Sequence, residues 1–174
     1  MKIIKTCLLF ILLGSMAGCD MIYRMLDKEG AEEKELVGEI TPFEKNPTIE
    51  EVQVLLKIYG YNSGEPDGIL GVRTRNSIEK FQKDNGLKET RFVDNETWQK
   101  LRVYVDTGLI TEGQLNIELI QNVLKKSGVD PGKIDGKFGA KTTKAVKTFQ
   151  KMHGLKVDGK IGYQTLTKLA SYIE

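Results

Sequence analysis

Residues 65–74 read EPDGILGVRT and residues 133–142 read KIDGKFGAKT. The likeness extends far beyond this stretch. Setting each residue beside the one 68 positions later pairs Gln53 with Gln121, Gly60 with Gly128, Gly64 with Gly132 and Asp67-Gly68 with Asp135-Gly136. It also pairs Gly71 with Gly139, Thr74 with Thr142, Phe81-Gln82-Lys83 with Phe149-Gln150-Lys151, and Gly86-Leu87-Lys88 with Gly154-Leu155-Lys156. Thr97 meets Thr165 and Leu101 meets Leu169, with no gap anywhere. Turn glycines and apolar positions that coincide in this way mark an internal duplication, so the chain folds as two copies of one unit.

Each copy reads as three helices. In the first, Val52, Leu55, Leu56 and Tyr59 fall on one helical face. Thr48-Ile49-Glu50-Glu51 before them has the Ser/Thr-x-x-Glu form of a capping box, and Gly60 should stop the helix. A loop rich in Gly, Pro, Asn and Asp follows over residues 62–71. A second helix is expected over Val72–Asp84, with Thr74, Ile78 and Phe81 inward and Gly86 at its end. A shorter third helix from Asn95 turns Trp98 and Leu101 inward. The second copy repeats this with Ile120, Val123 and Leu124, then Val146 and Phe149, then Leu166 and Leu169. The expected fold is all-α: two tandem small three-helix bundles, at residues 48–104 and 112–174. Units of about 55–60 residues lie near the lower limit for an independent core, so the copies are expected to pack on each other across the short link Val103–Glu112.

The N-terminal region is of another kind. Lys2 and Lys5 precede an apolar run from Thr6 to Gly14, too short to span a bilayer, so residues 1–18 read as a secretory signal. Ser15-Met16-Ala17-Gly18-Cys19 resembles a bacterial lipobox, with Met16 where Leu is usual. That resemblance implies acylation of Cys19. It also accounts for cysteine usage, because Cys7 would leave with the signal and no free thiol would remain. Residues 20–47 carry eight acidic and four basic residues and no sustained apolar stripe. They read as a tether reaching roughly 30 Å as a flexible coil, or alternatively as a juxtamembrane helix over Met21–Leu26. The protein is thus expected to be exported and held on a bacterial membrane by a lipid. The inner membrane is favoured if Asp20 acts as the retention signal seen in enteric-type bacteria. Removal of the signal leaves 24 basic residues against 24 acidic, which takes away the electrostatic case for nucleic-acid binding. The charge is uneven: residues 48–107 hold nine basic and ten acidic residues, and residues 112–174 hold eleven and six.

The repeated Asp-Gly-x-x-Gly-x-x-Thr is not a nucleotide-binding P-loop, since no strand precedes it and the Lys-Ser/Thr pair is wrongly spaced. Asp-Gly is turn chemistry: the carboxylate accepts from nearby backbone N–H groups and Gly allows positive φ. Gly71 or Gly139 then stands where a helix begins. Ile69 or Leu70, and Phe138 in the second copy, are expected to fold inward under the loop. Two readings of Asp67 and Asp135 stand here: scaffold for a sharp connection between helices, or contact with a ligand.

The unit resembles the peptidoglycan-binding domain appended to many bacterial cell-wall hydrolases. In the second copy the resemblance rests on Asp135-Gly136-Lys137-Phe138-Gly139-Ala140-Lys141-Thr142, Phe149-Gln150 and Gly154-Leu155-Lys156-Val157-Asp158-Gly159. In the first it rests on Gly60-Tyr61, Asp67 to Thr74, and Phe81-Gln82; Lys88-Glu89-Thr90-Arg91 departs where Val-Asp-Gly is usual. The resemblance implies a three-helix fold and the bacterial wall as ligand. Wall carboxylates would meet the helix start at Gly139 with Lys137 and Lys141 beside it, or Arg73 in the first copy. Asp135, Thr142 and Gln150 would supply further polar contacts, with Asp67, Thr74 and Gln82 as their first-copy counterparts. Tyr163 or Tyr61 would form a pocket wall.

Catalysis has little to draw on. His153 is the only histidine and stands at a helix end, where a capping role suits it. No zinc ligand set, Ser-His or Cys-His pair is in view, and no cofactor is implied. No hydrolase-sized segment lies outside the two copies and the tether. The expected function is a non-catalytic, lipid-anchored peptidoglycan binder. An adaptor that brings a wall hydrolase to its substrate is a second expectation, and a carboxylate-dependent lytic enzyme a third.

Overall fold

The computed structural model describes residues 45–173. Expectations for the signal, Cys19 and most of the tether therefore lie outside the described residues. Six helices fill the described part: α1 Pro47–Tyr59, α2 Val72–Asp84, α3 Asn95–Asp106, α4 Ile117–Lys126, α5 Ala140–Met152 and α6 Tyr163–Ala170. A two-stranded antiparallel hairpin, β1 Ile110–Thr111 with β2 Gln114–Leu115, joins the halves. The chain is thus mostly helical, as the periodicity predicts.

The helix boundaries follow local chemistry. Asn46 caps α1: its side chain accepts from the N–H groups of Thr48 and Ile49, and Pro47 takes the first helical position. The capping box expected at Thr48 gives way to this stronger cap two residues earlier. Glu51 is free to pair instead with Arg102 of α3 at 3.0 Å. Gly60 ends α1 in the left-handed region at φ 94°, the conformation that favours glycine. Asp94 and Asn116 cap α3 and α4 through the N–H groups of Thr97 and Leu119.

The expected inward residues form the core, except that Trp98 is only partly buried at its edge. Val52, Leu55, Leu56, Ile78, Phe81 and Leu101 are buried in the first copy, and Ile120, Val123, Leu124, Val146, Phe149, Leu166 and Leu169 in the second. The junction is more ordered than a simple link. α3 runs on to Asp106, so the stretch from Val103 begins as helix, and Leu109 and Ile110 are buried beyond it. The copies share an aromatic seam. Tyr163, at the start of α6, lies 5.2 Å from Tyr59, 5.4 Å from Phe81 and 5.4 Å from Tyr104, between ring centroids. The Tyr104 and Thr167 hydroxyls bond at 2.6 Å across the same seam, and the Tyr59 hydroxyl donates to the Leu101 carbonyl. Burial raises the Tyr59 and Tyr163 hydroxyl pKa values well above the ordinary tyrosine range, so both stay protonated donors.

Candidate wall-binding site

Each Asp-Gly loop closes around a buried glutamine from the preceding helix. In the first copy Gln53 of α1 donates through its amide nitrogen to Asp67 Oδ1, the Ile69 carbonyl and Thr74 Oγ1, at 2.8, 3.1 and 3.0 Å. Its amide oxygen accepts from the N–H groups of Asp67 and Gly68. Gln121 of α4 repeats this set on Asp135 Oδ1, the Lys137 carbonyl, Thr142 Oγ1 and the N–H groups of Asp135 and Gly136. One side chain thus satisfies both sides of a bend that could not otherwise be buried without cost.

The same device recurs at the second bend of each copy. Gln150 of α5 donates to Asp158 Oδ1, the Lys160 carbonyl and Thr165 Oγ1, and accepts from Gly159 N–H. Residues 158–165 read DGKIGYQT, a third occurrence of the motif. Gln82 of α2 forms the fourth clamp, on Thr90 Oγ1, the Phe92 carbonyl, Thr97 Oγ1 and Arg91 N–H. Thr90 replaces the aspartate there, and Arg91 accepts the left-handed conformation at φ 69° where the other loops place glycine. The missing Val-Asp-Gly of the first copy therefore changes the residues of the bend and keeps its hydrogen-bond plan.

These bonds set the charge state of the loops. Asp67 is held below the usual carboxylate range first by the Gln53 side chain and then by the Ile69 N–H. Asp135 is lowered first by the Lys137 N–H and then by Gln121, and Asp158 first by the Lys160 N–H.

The expected site residues thus divide into two groups. Thr74, Gln82, Thr142 and Gln150 are buried and hydrogen-bonded within the scaffold, and Asp67 and Asp135 give an oxygen to the same clamps. Tyr163 stands in the seam between the copies, while Tyr61 donates to Asp84 and packs edge-on to Phe81. Lys137, Gly139 and Lys141 are exposed at the start of α5, and Arg73 is exposed near the start of α2. Gly71 and Gly139 carry no side chain that caps α2 or α5, so those helix starts keep backbone donors for other partners. His153 is the C-cap of α5, as expected; its ring lies 4.4 Å from Phe149 and its Nε2 is 3.3 Å from the Tyr172 hydroxyl.

The two copies differ at the outer edge of the first bend. In the first copy the chain entering α1 crosses the loop, with Asn46 N–H donating to the Gly68 carbonyl at 2.9 Å. A Cβ on Gly68 would stand 3.0 Å from the Asn46 backbone. Leu70 is buried, with 3% of its surface exposed. In the second copy the corresponding entering residue, Gln114, is held in the hairpin, paired with Thr111. Gly136 then faces only Glu118 Cβ, 4.0 Å from an added Cβ. Phe138, expected to fold inward, is 42% exposed. Among the described residues no preceding segment crosses this loop as Asn46 crosses the first, a difference in chain path between the two copies.

Sequence reading singled out the aspartates and threonines, took Gln82 and Gln150 for ligand contacts and passed over Gln53 and Gln121; the buried, loop-closing role of all four glutamines was missed. The signal was present as spacing: Gln53 and Gln121 each stand 14 residues before the loop aspartate, and Gln150 stands eight before Asp158.

A family model for the peptidoglycan binding domain matches residues 45–101 and again residues 114–169. An N-acetylmuramoyl-L-alanine amidase of Bacillus licheniformis, CwlL, is 31% identical over 137 residues. That stretch is 75% of this chain and 37% of the amidase, so the chain spans little more than a third of that relative's length. No solved structure matches. With the family model met at both copies of the duplication, this chain belongs to the peptidoglycan binding domain family and carries the domain twice in tandem.

Proposed function

We propose that the protein holds peptidoglycan without cleaving it, chiefly through the open loop of its second copy, and is moored to a bacterial membrane by a lipid on Cys19. One observation carries the reading. The 135–142 loop has its internal bonds closed by Gln121, yet its outer edge is bare: Lys137, Phe138, Gly139 and Lys141 are exposed together beside an uncapped helix start. Backbone donors and two ammonium groups suit the carboxylates and amides of wall stem peptides. An exposed ring beside them suits the flat face of a sugar. Arg73 gives the first copy a weaker version of the same edge, next to a loop that Asn46 crosses.

The reading of a binder rests on the family matched at both copies, a peptidoglycan binding domain over residues 45–101 and 114–169, and His153 is engaged with Phe149 and Tyr172. The amidase activity of the relative belongs to a protein of which this chain covers 37%. The mooring rests on the sequence of residues 15–19. Among the described residues no helix is long and apolar enough to cross a membrane.

The test is co-sedimentation of residues 20–174 with purified insoluble sacculi at low salt. Recovery in the pellet with no release of soluble muropeptides is the expected result. Protein left in the supernatant would remove wall binding and leave an envelope adaptor for a hydrolase as the better account. Released muropeptides would show an enzyme.

A further inference from the structure

α5 has no acidic residue, and Lys141, Lys144, Lys147 and Lys151 are all exposed along it. At about 100° per residue, steps of three, three and four keep these lysines within about a third of the helix circumference. At about 1.5 Å per residue they form a row about 15 Å long. Among the described residues none of the four is paired with a carboxylate; the ion pairs lie at Lys57–Glu65, Arg91–Glu79, Arg102–Glu51 and Lys156–Asp158.

Two of the stems are seated on glycine. A Cβ on Gly132 would stand 2.8 Å from Lys141 Cδ, and one on Gly159 would stand 2.9 Å from Lys147 Cε. These loops therefore lie flat against the aliphatic stems and carry the ammonium groups outward. A side chain already held in place loses less freedom when a ligand engages it.

The first copy is an internal control. Thr74, Ile78, Phe81 and Gln82 on α2 match Thr142, Val146, Phe149 and Gln150 on α5 as buried residues, so the two helices meet the same packing demand. The row itself is different. Arg73, Asn76, Glu79 and Lys83 stand where α5 has its four lysines. Glu79 and Asn76 there both hold Arg91, at 3.7 and 2.7 Å. The fold needs no lysine row, and the second copy has one.

We propose that this row is a docking surface for a linear polyanion of phosphodiester repeats, sharing only Lys141 with the loop edge assigned to peptidoglycan. Ammonium groups spaced by about 4.5–6 Å along the axis match a polymer with one fixed charge per short repeat. Lysine is a compact point charge suited to singly charged phosphate oxygens. A lipid surface fits less well, because a helix lying on a bilayer turns its apolar face to the lipid. Here that face, with Ala145, Val146 and Phe149, is buried in the core.

The test uses the full-length chain with Cys19→Ser and soluble poly(glycerol phosphate), with affinity measured between about 50 and 200 mM salt. The variant is Lys144→Gln/Lys147→Gln/Lys151→Gln, which spares the loop edge. Each lost contact should flatten the log–log salt slope by about 0.7, so the triple variant should lose about 2 from the slope and at least tenfold in affinity at low salt. Lys57→Gln/Lys80→Gln/Lys83→Gln makes the same charge change on the first copy and should bind as the parent does. Peptidoglycan stripped of phosphate polymers should sediment all three proteins equally. The proposal is overturned if the parent fails to bind the polymer or if both triple variants weaken alike. It is also overturned if the α5 variant loses stripped peptidoglycan too, or if the parent binds anionic phospholipid vesicles and not the polymer. Failure to bind the polymer with sedimentation intact would sink this inference and leave the wall-binding reading in place.

Discussion

The loops at 67–74 and 135–142 are built alike inside and differ outside. Each is closed by five hydrogen bonds from one buried glutamine, Gln53 or Gln121. Around that shared interior, the first loop is crossed by Asn46 and buries Leu70, while the second exposes Phe138 between Lys137 and Lys141. The difference teaches that the motif by itself is scaffold. What a copy offers to a ligand is decided by residues that the scaffold leaves unconstrained and by where the preceding chain runs.

The largest expected effect tests the shared interior. Gln121→Leu strands the Asp135 and Gly136 N–H groups, each costing about 1–3 kcal/mol where water cannot replace the partner; the Lys137 carbonyl keeps the Gly139 N–H and the Thr142 hydroxyl. A loss of about 3 kcal/mol or more in urea unfolding is expected, and Gln53→Leu should cost a similar amount. A large loss in one copy with little in the other would break the claim that the interiors are equivalent.

A smaller effect tests whether the copies act as one body. Tyr163→Ala empties the ring position facing Tyr59, Phe81 and Tyr104. Because Tyr163 is half-buried, about 2 kcal/mol is expected, below the range for fully buried aromatics. The unfolding transition should broaden or split as the seam weakens. An unchanged single transition would show that the hairpin and Leu109–Ile110 suffice to couple the copies.

The smallest effect is on acid stability. The pKa values of Asp67, Asp135 and Asp158 are lowered in the folded chain, so the stability they add is present above the ordinary carboxylate pKa of about 3.9. It is lost as pH falls through their lower folded values, when the unfolded chain binds protons more readily. Asp135→Asn should flatten the acid limb of a stability–pH curve by lowering stability at neutral pH, with little change at the acid end, where the parent's carboxyl is already protonated. A shift confined to pH above 6 would contradict the assignment.

Much of the fold was legible because turn glycines and apolar spacing report directly on helix ends and faces. The second helix was read close to its bounds, Val72–Asp84, and Gly60 and Gly86, expected at helix ends, both lie in the left-handed region. The start of α1 was misread because a capping box at Thr48 and an Asn-Pro cap at Asn46 compete within three residues, and only geometry decides between them. The site was less legible. A glutamine in a helix reads as a surface residue, and its burial follows from a loop that returns 14 residues later. Phe138 was expected inside because Leu70 belongs inside. What separates them is the path of the chain before each copy, a tertiary feature with no local signature. Tyr163 reads as pocket wall within one copy and becomes seam only when both copies are present.

The most direct test of the central claim compares the two edges under one assay. Binding of residues 20–174 to sacculi would be measured for the parent, for Lys137→Ala/Lys141→Ala and for Arg73→Ala. The account predicts that the lysine pair loses about tenfold in affinity, about 1.4 kcal/mol, while Arg73→Ala loses distinctly less. Equal losses, or a larger loss at Arg73, would contradict it.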